Sequence, residues 1–565
     1  GEGIVFNLVS GSLAWPFTPS TIWEHTATNS AFYGATLQFL FDSSSDGAHW
    51  ILTMKDGTEY AFTRHAPNQL AWMQDRYGNL TQMNYNGGLL DQVVSPSGRS
   101  IVFGYDSSNR IANATDNTGR QVTYAYGSAG TLSTVTYPDQ TTEQYTYDGN
   151  KRLLTMQDRR SNVWVSNQYD VNGRIDKQTL ADQTYYQFAY ATNSGGVVTA
   201  TTVTDPNSHQ EHLTFDPVSK YPLTDTFAYG TSLAQTTTYV RESSGLVDST
   251  TDALNRTTTY IYDDLGNVTK VTRLAGTVNA TSYQYGYTSD YSQLASITDP
   301  LGHTSTMSYE NGCLSGITDS LNHSTTILCN SAGQISAIED PLGHITTLNY
   351  QGYDLQSLTD GLGRTTVLEV DALGRPTAAK DPLGIVTMAQ YDTNDRVIQT
   401  VDGFNQSTSA SYDGNGNLTS VTLPSTAVIS QTYDPRNRLL THTDALGQVD
   451  SWTYDGMGDV MSHTDRKQQV TMYSYDELDR RTLVSYADGS GTQASYDAGN
   501  RVTQLLDTNT GSLSWGYDGL DRVTAAVTPQ GTISYGYDAA GRRTSMTPSA
   551  QAIVNYVYDS ANRLT

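Results

Sequence analysis

Tyr-Asp pairs recur through the C-terminal part of this chain with a period that leaves little freedom in how it folds. Tyr391-Asp392, Tyr412-Asp413, Tyr433-Asp434, Tyr454-Asp455, Tyr475-Asp476, Tyr496-Asp497, Tyr517-Asp518, Tyr537-Asp538 and Tyr558-Asp559 lie 21 residues apart, with one interval of 20. A pattern that repeats at a fixed spacing repeats its local structure, and such units stack on one another. These 18 residues are the motif positions on which any reading of the chain rests.

Each unit contains two turn signals. Tyr433-Asp434-Pro435-Arg436-Asn437-Arg438 supplies the first, and Asp444-Ala445-Leu446-Gly447 supplies the second half a period later. Asp bonds backbone amides ahead of it and Gly or Asn takes positive φ, so both segments have a reason to turn. Between the turns, aromatics recur at i and i+2, as at Tyr473 and Tyr475 or Tyr556 and Tyr558. That alternation places them on one face of an extended strand. The unit is therefore a β-hairpin and the fold class all-β: tandem hairpins of 20 or 21 residues joined into one long sheet.

The second turn carries the period further back, through Asp299-Pro300-Leu301-Gly302, Asp340-Pro341-Leu342-Gly343 and Asp381-Pro382-Leu383-Gly384. Earlier Tyr-Asp pairs at Tyr105, Tyr147, Tyr169 and Tyr262 are less evenly spaced. The organisation expected is an N-terminal β-rich cap over residues 1–70 and a repeat array over 71–565, irregular between 190 and 250.

A net charge of -25 opposes binding to nucleic acid, where cationic side chains must displace counterions. Recurring turn aspartates account for the acidity without a partner. No run of 18 apolar residues occurs, so a transmembrane helix is not expected, and two cysteines make no disulfide framework. Aligned on their turns, Cys313 falls on the Arg position and Cys329 on the Asp position, a register that does not favour a bridge.

Tyr-Asp-x-x-Gly/Asn-Arg at this period, alternating with Asp-x-x-Gly, resembles the YD repeats of the RHS family, found in bacterial RHS proteins, toxin-complex C components and animal teneurins. The resemblance implies a sheet that spirals into a hollow shell around a C-terminal polypeptide, commonly a toxin. Here the chain stops at Asn562-Arg563-Leu564-Thr565. The payload is expected beyond Thr565, and no autoproteolytic residue carries over, since Asp299-Pro300, Asp340-Pro341 and Asp381-Pro382 lie in repeat turns.

Chemical motifs are sparse. His303, His323 and His344 follow equivalent turns, but hairpins put such positions roughly 10 Å apart, too far to share an ion. His209 and His212 lack a third ligand nearby in the chain, and Asp413-Gly414-Asn415-Gly416-Asn417 reads as a repeat turn because Pro424 stands where a calcium loop needs Glu. Sequons such as Asn79 and Asn417 belong to the repeat consensus. No catalytic residue, metal site or cofactor is expected. The expectation is a non-enzymatic, secreted or cell-surface shell with its own payload as partner. The alternative is an extracellular adhesive or filament protein, contacting glycans or an export apparatus.

Overall fold

In the computed structural model the described residues are 7–10, 22–24, 35–40, 49–63 and 69–565, and among them there is no helix. They form 51 strands of one sheet. Every pairing joins consecutive strands antiparallel, from Asn7–Ser10 with Ile22–Glu24 to Arg543–Pro548 with Val554–Asn555. Much of the expected cap, 1–70, lies outside the described residues. Glu59–Thr63 pairs with Leu70–Gln74, so the sheet crosses residue 70 without a break. The irregular stretch, 190–250, is built from the same hairpins, with Val198–Thr204 pairing Gln210–Phe215 and Gln235–Arg241 pairing Val247–Thr251.

The Tyr-Asp turn shows why each residue of the motif is there. Asp476 N–H bonds the Arg480 carbonyl and Asp479 N–H bonds the Asp476 carbonyl, each at 3.0 Å. Asp479 sits at φ 55°. This is a type I turn closed by a left-handed residue, a geometry favoured in hairpins because it matches the twist of the strands. The register slips by one residue between Ser474 and Tyr475 as the strand enters the turn. The same slip precedes Tyr412, Tyr433, Tyr454, Tyr496, Tyr517 and Tyr537.

Hydrogen bonds across turns tie one region of the sheet to another far away in sequence. Arg160 in the 158–162 turn donates Nη1 to the Asp434 carbonyl at 2.9 Å and Nη2 to the Tyr433 carbonyl at 3.1 Å. Asp182 accepts from Arg436 at 3.1 Å and from Arg438 at 2.9 Å. The 158–162 turn joins the 14th and 15th strands and the 434–438 turn the 39th and 40th, 25 strands later; from the turn holding Asp182 the offset is 23. The sheet therefore winds into a spiral whose second coil abuts the first. At about 4.8 Å per strand, one circuit is roughly 115 Å and the coil roughly 37 Å across, backbone to backbone.

A wall of this kind has little dry interior. The accessible surface is 30724 Å², half as large again as the roughly 20,000 Å² of a compact monomer of this length. Phe39 is the largest fully buried side chain among the described residues. In Val470–Tyr475 exposed and half-buried residues alternate strictly. Each repeat Tyr is thus half-buried rather than enclosed, since a single-layer sheet offers its ring neighbours along the face but no second layer above.

Candidate functional site

The functional candidate is the wall itself, and the Tyr-Asp edge is its most ordered part. Every Tyr of the nine late repeats donates its hydroxyl to a backbone carbonyl at the start of the preceding strand, as Tyr454 to Leu439 at 2.7 Å and Tyr475 to Val460 at 3.0 Å. The Asp Oδ1 accepts two amides of its own turn: Asp434 takes those of Arg436 at 2.8 Å and Arg438 at 2.9 Å. Its Oδ2 holds Arg438 Nε at 2.6 Å. That Arg continues to the next repeat, donating to the Asp455 carbonyl at 3.0 Å and lying over the Tyr454 ring at 5.0 Å.

The result is a ladder of Asp, Arg and Tyr along one edge. It is interrupted where the Arg position holds another residue, Asn417 and Asp459. Arg160 from the first coil reaches Asp413 Oδ2 at 3.4 Å and so supplies the cation that Asn417 lacks. The interruptions were readable in the sequence; the residue that compensates one of them was not.

The opposite edge of the first coil meets this ladder along a continuous seam. Arg120 bonds Asp395 at 2.6 Å, Arg99 bonds Asp354 at 2.6 Å, and Asn415 bonds Asp158 at 2.6 Å. The approach is close enough to select glycine: a Cβ on Gly414 would lie 2.3 Å from the Arg159 carbonyl oxygen. Ser320 begins a further round of the same contacts with the Ser560 carbonyl. Beyond it, Leu342, Leu362, Leu383, Phe404 and Leu446 stand 82, 76, 85, 81 and 86% exposed at the turns of the second coil.

His303, His323 and His344 each bond the Asp four residues before them, at 3.0, 2.8 and 2.8 Å, as Arg120 and Arg364 do in their own turns. His212 stacks on Tyr229 with centroids 4.4 Å apart and bonds Thr202 Oγ1, so it does not converge with His209. Asp413 to Asn417 form a repeat turn, the Asn417 amide bonding Asp413 Oδ1 at 2.9 Å. Asn79 and Asn417 are likewise turn residues whose side-chain amides bond the turn Asp.

Cys313 and Cys329 form a disulfide with Cα atoms 6.5 Å apart, against the register read from the sequence. Cys313–Thr318 and Ser324–Cys329 are the arms of one hairpin, paired Gly316 with Thr326 and Thr318 with Ser324, and that register sets the cysteines opposite each other. No helix among the described residues is long and apolar enough to cross a membrane.

The RHS Repeat family matches residues 105–142, 243–278, 412–449, 433–470, 496–533 and 517–553. No curated protein matches the chain in sequence. Among solved structures it is similar to the crystal structure of TcdB2-TccC3-Cdc42, at 12% identity over 94% of this chain and 40% of that one, with a TM-score of 0.61. TcdB2-TccC3 is similar at 13% identity, over 99% of this chain and 36% of that one, with a TM-score of 0.58. The same assembly without its hypervariable C-terminal region is similar at 12% identity, over 100% and 37%, with a TM-score of 0.54. The chain thus spans 40% or less of the length of these solved chains. Repeat matches spread along the sequence and a fold shared with these structures agree with the ladder and the seam: the chain carries RHS repeats in these segments.

Proposed function

We propose that this chain is a wall of a non-enzymatic container that holds a C-terminal polypeptide, of the toxin or secreted-effector kind, and is exported with it. The observation that supports the reading best is the seam. A sheet built only to display residues gains nothing from bonding each turn to another some 24 strands away, whereas a container needs that contact to close its side. The large surface and the scarcity of buried side chains agree with a wall that has two faces. Similarity to TcdB2-TccC3 structures supports the toxin-complex setting.

The dimensions bear on the state of the contents. With side chains standing about 5 Å from each wall, the coil leaves a lumen roughly 27 Å across. A folded domain of 100 residues is about 33 Å in diameter. A polypeptide of that size inside would therefore be held without its native fold.

The test is limited proteolysis of the full-length protein, reading the polypeptide encoded after Thr565. Protection of that segment while the seam is intact, and its digestion once low urea opens the wall, is the expected result. Digestion at the rate of the isolated segment overturns the container. Retention of glycan by the intact repeats would then favour the adhesive alternative.

A further inference from the structure

One aspartate on the seam differs from the two others that occupy the same slot. At two Tyr-Asp turns the fourth residue is an Asp that receives cations from two directions. Asp395 takes Arg120 across the seam at 2.6 Å and Arg375 along the ladder at 2.7 Å. Asp521 takes Arg256 across the seam and Arg501 along the ladder at 3.1 Å. Asp479 occupies the same slot, yet His209 stands where Arg120 and Arg256 stand, and Asp459 where Arg375 and Arg501 stand. Two arginines are replaced by an imidazole and a further carboxylate.

The geometry there is not that of a hydrogen bond. His209 Nδ1 lies 3.5 Å from Asp205 Oδ2 and 3.5 Å from Asp479 Oδ1. His209 Nδ1 and Asp479 Oδ1 are both shut off from solvent and have no hydrogen-bond partner. The same Asp-x-x-x-His turn closes to 2.8 Å at His323 and His344, so the motif itself does not impose the gap. What differs at His209 is a third ligand atom from the other coil, and the three atoms lie within 4.8 Å of one another. Bonds of about 2.0–2.1 Å to a tetrahedral ion place its ligands roughly 3.4 Å apart. A buried polar atom without a partner is costly, and two aimed at one point are stabilised by a cation between them.

We propose that Asp205, His209 and Asp479 bind one divalent transition-metal ion of the zinc class, which staples the first coil to the second. One imidazole nitrogen and two carboxylate oxygens suit zinc or cobalt, whereas magnesium and calcium prefer all-oxygen sites. A cavity of about 470 Å³ bordered by Tyr186, Asp205, His209, Met457 and Asp479 adjoins the site and admits water as the remaining ligand. The set is not visible in the residues around His209, because its third member comes from a turn 270 residues on.

The test titrates the full chain, stripped with EDTA, with zinc chloride by calorimetry. Cobalt chloride serves as a second probe, whose visible absorption reports a tetrahedral site. One ion per chain is expected. His209→Ala and Asp479→Asn each weaken it by about a hundredfold or more, beyond the 10–100-fold typical of losing an outer-shell partner. Asp459→Arg restores the ladder arginine and is expected to abolish binding in a chain that stays folded; His344→Ala leaves binding unchanged. Hydrogen exchange at 205–209 and 476–480 slows when zinc is added. Absence of saturable zinc binding in the parent chain, or binding that survives both His209→Ala and Asp479→Asn, overturns the proposal. So does exchange at these turns that follows imidazole protonation but ignores zinc, because His209 then bridges the carboxylates as a cation itself.

Discussion

Removing the Arg160 side chain isolates what the seam contributes. The side chain is 19% exposed, and its guanidinium donates to the Asp434 carbonyl at 2.9 Å, the Asn437 side-chain oxygen at 3.0 Å and the Tyr433 carbonyl at 3.1 Å. Hydrogen bonds from a charged donor contribute about 1.5–3 kcal/mol each, but in Arg160→Ala water reaches part of the vacated edge, so the loss is about 3 kcal/mol rather than the sum. The hairpins on either side keep their own ladders, so the loss is local. At 1.4 kcal/mol per factor of ten, about 3 kcal/mol corresponds to roughly 100-fold faster opening at 434–438 and 158–162. Hydrogen exchange resolved by mass spectrometry reads this directly, and the thermal midpoint of the whole chain should move little. Unchanged exchange at 434–438 would show that the coils do not depend on this contact. A uniform acceleration along the chain would show that the array unfolds as one unit, and either result refutes the reasoning.

Three further outcomes follow from the same geometry. Tyr475→Phe removes the hydroxyl bond to Val460 and should cost about 1 kcal/mol, and Tyr475→Ala about 2–3 kcal/mol, below the 3–5 of an enclosed aromatic because the ring is half-buried; urea titration followed by exchange at 471–485 checks both. At Asp116, partial burial raises the carboxyl, but hydrogen bonds from Thr118, Arg120 and their backbone amides outweigh it and hold the group at about 2. Its folded value lies below its unfolded one, so its stabilisation is complete above the ordinary carboxylate range and is lost as pH falls toward 2; circular dichroism between pH 5 and pH 2 should show unfolding at the acid end, and a structure indifferent to that range would contradict it. Reducing Cys313–Cys329 releases a loop that closes with about 3 kcal/mol of entropy, so exchange within 313–329 should rise with reductant while distant repeats stay constant.

Local features were legible in the sequence to the extent that chemistry is local. Tyr473 and Tyr475 on one face, the Asp476 turn and the left-handed residue before Arg480 all follow from residues within one unit. The disulfide was legible too, but only by counting outward from the 319–323 turn along a hairpin, since comparing equivalent positions in successive repeats measures the wrong distance. The seam belongs to another scale. Arg160 meets Asp434 because some 24 strands of accumulated curvature bring their edges together, and no spacing of residue types encodes that number. The cation that stands in for the one Asn417 lacks, and the carboxylate facing His209, were hidden for the same reason: the breaks in the consensus are visible, while these residues come from the other coil.

The seam also constrains how such an array can evolve. In an open solenoid a unit touches only its neighbours, so copies are gained or lost without disturbing the rest. Here Arg120, Arg160 and Asp182 are each matched to partners one circuit ahead. Deleting a single hairpin between them would slide every later turn by two strands, roughly 10 Å, against the edge it meets. The coils act as a vernier: substitutions within a unit are tolerated one at a time, whereas a change in copy number within a circuit misaligns all contacts at once.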